Sequence, residues 1–214
     1  AVGKPTTVVL LSGSALAVDD DRIDALVQAW YPGAVGGQAV GELLFGAYSP
    51  SGRLPVTFYR SLDDLPAFTD YDMKNRTYRY YEGEALYPFG YGLSYSEFRI
   101  TEAALSAGEI GPGESVKVQA TVENTSDVDG TAVVQVYLHD VAARIARPVK
   151  ELKDFARVVL KAGESRKVEF TLTPEKMSYY DGTQWIAEPG RFEVMIGLSS
   201  DDAKSEKLEF ELHE

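Results

Sequence analysis

Carboxylates are the residues in this sequence best suited to chemistry. Glu82 and Glu84 in YYEGEALY and the neighbouring Asp63 and Asp64 could each lie close together. A glycosidase needs two such acids, about 5 to 9 Å apart according to mechanism. Adjacent acids in polar loops are usually solvated, and both pairs read that way. Asp19-Asp20-Asp21 reads as a helix start or exposed turn rather than a cation site. The two histidines, His139 and His213, have no G-x-S-x-G serine to serve and read as surface residues. Without clustered His or Cys, a transition-metal site is not expected, and no cofactor is implied. The stretch WYPGAVGGQAVGELLFG (30–46) is glycine-rich but lacks the Lys-Ser/Thr ending of a phosphate loop. Its glycines fall at 33, 36, 37 and 41, which is not the dinucleotide spacing. It reads as a tight connection from strand to helix.

Arg76, Tyr78, Arg79 and Tyr80 in NRTYRYYEG form the best polar-aromatic cluster. Guanidinium and phenol groups can line a sugar pocket by stacking and hydrogen bonding, so these four are the substrate-binding candidates. The stronger expectation is a clamp between domains, with each Arg paired to local acids. Trp30 likewise reads as core rather than as a sugar platform.

The elements that must position these residues fall into three stretches. Thr6–Leu11 (TTVVLL) reads as a strand buried on both faces of a parallel sheet. Ile23–Trp30 fits either a short helix or a second buried strand. Gln38–Phe45 places Ala39, Leu43 and Leu44 on one helical face, and Gly46 stops the helix. Residues 1–60 therefore read as α/β. From about 61 to 95 turn signals alternate with tyrosines, a composition suited to strapping domains together. Residues 96–214 read as all-β. Val116, Val118, Ala120 and Val122 alternate with polar residues, NTSDVDG (124–130) is a turn, and TAVVQVYL, RVVL, VEFTL, GRFEVMIGLSS and KLEFEL follow as strands. This spacing predicts an immunoglobulin-like sandwich without its cysteine pair.

Composition bounds the partners. The chain has 214 residues, 44% hydrophobic and 25% charged, with a formal net charge of −12. That charge opposes nucleic acid and anionic lipid. There is no cysteine, hence no disulfide framework or thiol nucleophile. No apolar run approaches the ~20 residues of a membrane span. The opening AVGKPTTVVLLSG does not read as a signal peptide.

The chain resembles the C-terminal portion of glycoside hydrolase family 3 β-glycosidases, of β-glucosidase or β-xylosidase type. The resemblance is carried by GKPTTVVLLSGSAL, ALVQAWYPGAVGGQAVGELLFGAYSPSGRLPVTF and RTYRYYEGEALYPFGYGLSYSEF, then NTSDVDGTAVVQVYL, RPVKELKDFARVVLKAGES and EPGRFEVMIGLSS. It implies that residues 1–60 end a three-layer α/β-sandwich domain, 61–95 form a tyrosine-rich connector, and 96–214 form a fibronectin-III-like domain. It also implies retaining hydrolysis of terminal β-linked glucose or xylose. The nucleophile Asp of such enzymes lies in a (β/α)₈ barrel and the acid/base Glu usually in the sandwich domain, in motifs upstream of Ala1. No catalytic residue is therefore assigned here. The implied partner is the remainder of the glycosidase, or a second chain covering residues 1–60, with a β-glycoside as substrate. The resemblance favours a periplasmic or secreted location. The competing expectation, a stand-alone carbohydrate- or protein-binding module, calls for a stripe of exposed aromatics. Residues 116–172 hold only a few, Tyr137, Phe155 and Phe170, so sugar stacking there is expected to be weak.

Overall fold

The computed structural model describes residues 3–214. β1 (Thr7–Leu10) and β2 (Ala25–Gln28) pair in parallel, with Thr7 opposite Ala25 and Leu10 opposite Gln28. The ambiguous stretch around residue 26 is thus a strand. The expectation of strands buried on both faces is corrected: Val8, Val9 and Leu10 are only half-buried, because the described residues cover the pair incompletely. β2 leads into Trp30, whose φ of 52° turns the chain sharply, and Gly33 follows at φ 75°. A Cβ on Gly36 would lie 2.5 Å from Pro32 Cγ, so glycine is required where the turn folds back on its own proline.

Helix α1 (Gly36–Leu44) begins two residues earlier than Gln38. Gly46, at φ 74°, closes it by donating from its N–H to the Leu43 carbonyl at 3.0 Å. The predicted apolar face is corrected too, since Ala39 and Leu44 are exposed while Val40 and Leu43 are half-buried.

Residues 48–95 carry little regular structure. A one-turn 3-10 segment, Leu62–Asp64, is held by a reciprocal box between Ser61 and Asp64. The four-residue helix α2 (Thr77–Tyr80) follows.

The remaining strands are β3 (Phe98–Leu105), β4 (Glu109–Ile110), β5 (Val116–Asn124), β6 (Gly130–Asp140), β7 (Glu151–Leu160) and β8 (Ser165–Leu172). The short helix α3 (Pro174–Met177) and a hairpin of β9 (Tyr179–Tyr180) and β10 (Trp185–Ile186) precede β11 (Gly190–Gly197) and β12 (Glu206–Leu212). Sheet order is β3-β5-β8 on one side and β4-β12-β11-β6-β7 on the other. Between them lies the core, with Val118, Val122, Val136, Leu160, Phe192 and Ile196 among its fully buried members. This is the fibronectin-III-like arrangement of two packed antiparallel sheets, apart from the short parallel contact of β4 with β12.

β6 departs from simple alternation. Val134 through Leu138 are buried without a break, so this strand is covered on both faces. Its inner face meets the core, and its outer face meets residues 78–90.

Candidate functional site

The outer face of β6 presents Gln135 and Tyr137. Tyr78 and Phe89 stack with ring centroids 4.1 Å apart, and each meets the Tyr137 ring edge-on, at 5.9 and 6.5 Å. Offset stacking and edge-to-face contact are the favoured geometries of aromatic quadrupoles. Tyr137 Oη donates to Gln135 Oε1 at 2.5 Å, and Gln135 Nε2 donates to the carbonyls of Gly90 (3.1 Å) and Leu198 (2.8 Å). Burial pushes the Tyr137 phenol far above its ordinary value, so it stays a neutral donor. Backbone bonds complete the seam: Val149 N–H to the Arg79 carbonyl (2.7 Å) and Ser200 N–H to the Phe89 carbonyl (2.9 Å). Leu152 N–H donates to Tyr78 Oη at 3.2 Å.

The strap also grips the α/β unit. Phe58, 3% exposed, pairs across a β-bridge with Tyr87 and meets Trp30 edge-on at 6.2 Å. Tyr87 stacks on Tyr91 at 5.5 Å. Tyr48 Oη donates to the Ala39 carbonyl (3.0 Å) and Tyr95 Oη to the Leu43 carbonyl (2.6 Å), so two phenols hold helix α1. Arg157 of β7 reaches Ser51 Oγ at 2.8 Å.

The four sequence candidates do not converge on one pocket. Arg76 donates to backbone carbonyls, from Nε to Asp72 (3.0 Å) and from Nη2 to Ala67 (3.3 Å) and Asp70 (2.5 Å), and so organises its own loop. Asn75 and Thr77 flank it at φ 58° and 55°, an uncommon conformation for a β-branched residue such as Thr77. Tyr78 lies in the seam on β6. Arg79 pairs with Glu151 at 3.2 Å, and its guanidinium stands 5.9 Å from the ring centroid of Tyr80.

The carboxylates do not form a facing pair. Glu84 pairs with Arg60 at 2.9 Å, Asp64 accepts from the Ser61 N–H, and Asp20 is bound by Arg22 within an exposed turn. Glu82 is exposed. An open depression of about 460 Å3 on the five-stranded sheet is lined in part by Glu193 and Glu209, and Arg191 bridges these two at 3.5 and 3.7 Å. Among the described residues no group of three or more His, Cys, Asp or Glu could hold a metal ion. His139 is half-buried rather than on the surface, with Nδ1 2.8 Å from the Pro148 carbonyl.

A second polar cluster sits under the loop 141–150. Glu188 is 8% exposed and accepts from Tyr179 Oη (2.5 Å), Arg144 N–H (3.0 Å) and Arg144 Nε. The Tyr179 hydroxyl first, then Arg144, hold its carboxyl down at about 2. Arg147 lies over the Tyr179 ring at 4.6 Å and 3.8 Å from Asp140, whose carboxyl burial raises. Sequence reasoning passed over Gln135, counted Tyr137 only among the few aromatics for an exposed stripe although it is fully buried, and passed over Glu188. A lone Gln inside the apolar run VVQVYL was the available signal for the first two.

An α/β unit bound by an aromatic strap to a fibronectin-III-like sandwich is the framework of a multidomain protein, and of the acids considered from the sequence Glu84, Asp64 and Asp20 are tied up in local pairs. The known proteins it is similar to agree. Residues 1–95 match the glycosyl hydrolase family 3 C-terminal domain, and residues 132–200 match the fibronectin type III-like domain. By these matches the chain corresponds to the C-terminal portion of glycoside hydrolase family 3 proteins. It is 42% identical over 97% of its length to a xylan 1,4-beta-xylosidase of Xylanibacter ruminicola, of which it covers 24%. It is 38% identical over 99% of its length to a periplasmic beta-glucosidase of Salmonella typhimurium, of which it covers 29%. Beta-glucosidase 3B from Thermotoga neapolitana, in complex with glycerol, superposes with a TM-score of 0.89 at 33% identity, over 100% of this chain and 32% of that one. The beta-glucosidase from Listeria innocua in complex with glucose gives 0.86 at 38% identity, over 99% and 31%. The chain thus spans about a quarter to a third of the proteins it matches.

Proposed function

We propose that this chain is the supporting part of a retaining β-glycosidase that releases terminal β-linked glucose or xylose. The nucleophile Asp and the acid/base Glu lie outside these residues, and the chain supplies scaffold and inter-domain support. In this reading 1–60 complete the α/β-sandwich domain, 61–95 are the connector and 96–214 the fibronectin-III-like domain. Arg76, Tyr78, Arg79 and Tyr80 act by fixing the connector rather than by touching sugar. One observation carries the reading: the strap joins an only half-covered α/β unit to the sandwich, while the acids of the connector are exposed or occupied locally.

The test is turnover of aryl β-glucosides and β-xylosides by the chain alone and by the chain joined to the upstream modules of a family 3 relative. Alone it should be inactive, and joined it should turn over substrate. Activity of the homogeneous chain alone, abolished by Glu82→Gln or Glu84→Gln, would overturn the assignment.

A further inference from the structure

Residues 179–186 fold back as the β9–β10 hairpin, with Trp185 opposite Tyr180 and Ile186 opposite Tyr179. Alternation turns Tyr179 inward, at 2% exposed, and sends Tyr180 and Trp185 outward, at 52% and 71%. The outward rings lie 5.9 Å apart, tilted by 55°. This is a fixed hairpin. Asp181 Oδ1 accepts from the N–H groups of Thr183 and Gln184, and Gly182 turns at φ 104°. Its base is pinned where Tyr179 donates to Glu188, which Arg144 also holds.

Two large rings held out in water on a rigid turn call for an occupant. Exposed Asp181, Thr183 and Gln184 border them, so the apolar patch is far smaller than the ~1,000 Å2 a stable protein interface needs. The net charge of −12 opposes nucleic acid, anionic lipid and a second copy of the chain. A small sugar requires a concave, enclosing site, which a hairpin tip does not offer. An uncharged polymer meets all three constraints. Its pyranose rings offer apolar C–H faces to aromatic rings, and its hydroxyls reach the amide, hydroxyl and carboxylate groups at the rim.

We propose that Tyr180 and Trp185 form a docking site for an uncharged β-linked polysaccharide of the glucan or xylan class. The choice of polymer rests on the glycosidase reading, whereas the site itself rests on the hairpin. The test is native gel electrophoresis of the chain in gels containing laminarin or unsubstituted xylan. Trp185→Ala and Tyr180→Ala should weaken retardation at least tenfold, and Trp185→Phe should keep most of it. Circular dichroism melts should match the parent, because both side chains point into solvent. Absence of retardation of the parent by either polymer would overturn the proposal, as would retardation indifferent to Trp185→Ala. So would a parent that sediments as a dimer and becomes monomeric on Trp185→Ala. Hydrolysis by the chain joined to upstream modules is scored separately. Hydrolysis without retardation removes the docking site alone, and retardation without hydrolysis removes the glycosidase reading alone.

Discussion

Glu188 keeps its charge at 8% exposure because a phenol, a backbone N–H and a guanidinium all donate to it. Such a carboxylate ties stability to pH. Its carboxyl is held at about 2, below the ordinary 4.5, so as pH falls the unfolded chain takes up the proton first. The stabilisation is complete above 4.5 and is lost as pH falls through about 2. Asp140 has the opposite sign: burial raises its carboxyl, so ionising it as pH rises weakens the fold. Glu188→Gln should therefore flatten the acid limb of the stability curve, measured as urea midpoints between pH 5 and 2. At neutral pH it should cost about 1–3 kcal/mol, the range for leaving buried donors poorly matched. Curves for parent and variant that stay parallel across that window would refute the assignment.

Among the elements, β6 and the strap depend on each other. Gly90 sits at φ 77°, and a Cβ there would come within 2.0 Å of Gln135 Oε1. The obstructing atom ends a flexible side chain, but moving it breaks the bonds from Tyr137 and to Leu198. Gly90→Ala should thus destabilise the chain by about 2–4 kcal/mol, combining backbone strain with lost buried hydrogen bonds. Protease cleavage in the strap should also precede global unfolding, and an unchanged denaturation midpoint would contradict this. Legibility in the sequence follows the same physics. β5 alternates strictly because one face is in water, so its period was plain. TAVVQVYL read simply as a strand, because the Tyr78 and Phe89 that cover the outer face of β6 arrive from more than forty residues upstream, where periodicity carries no information. TTVVLL read as doubly covered from its β-branched apolar run, yet the described residues leave it half-bare. The β9–β10 hairpin is too short to show a period, so its exposed ring pair went unread. The Arg-Tyr cluster was legible as a group of residues, whereas its dispersal depends on Arg76 turning to backbone carbonyls that no spacing rule anticipates.

Across the whole molecule, burial is uneven. Of the described residues 3–56, Gly36 alone is buried, while the sandwich holds a continuous core from Ile110 to Leu212. Among the described residues β1 and β2 form a two-stranded parallel sheet with both outer edges unpaired, and parallel strands ordinarily lie under helices on both faces. Leu11, Val35 and Phe45 face solvent at 63%, 68% and 94% exposed. Such a unit is stabilised chiefly through the strap, so it should open before the sandwich does. Hydrogen exchange of the chain should show residues 7–46 losing protection well below the denaturant midpoint of residues 116–138. Joining the upstream modules of a family 3 relative should bring both segments to one transition, because the added layers cover the same apolar surfaces. If residues 7–46 of the monomeric chain already match the sandwich in protection, the unit is complete as it stands and has no need of further covering.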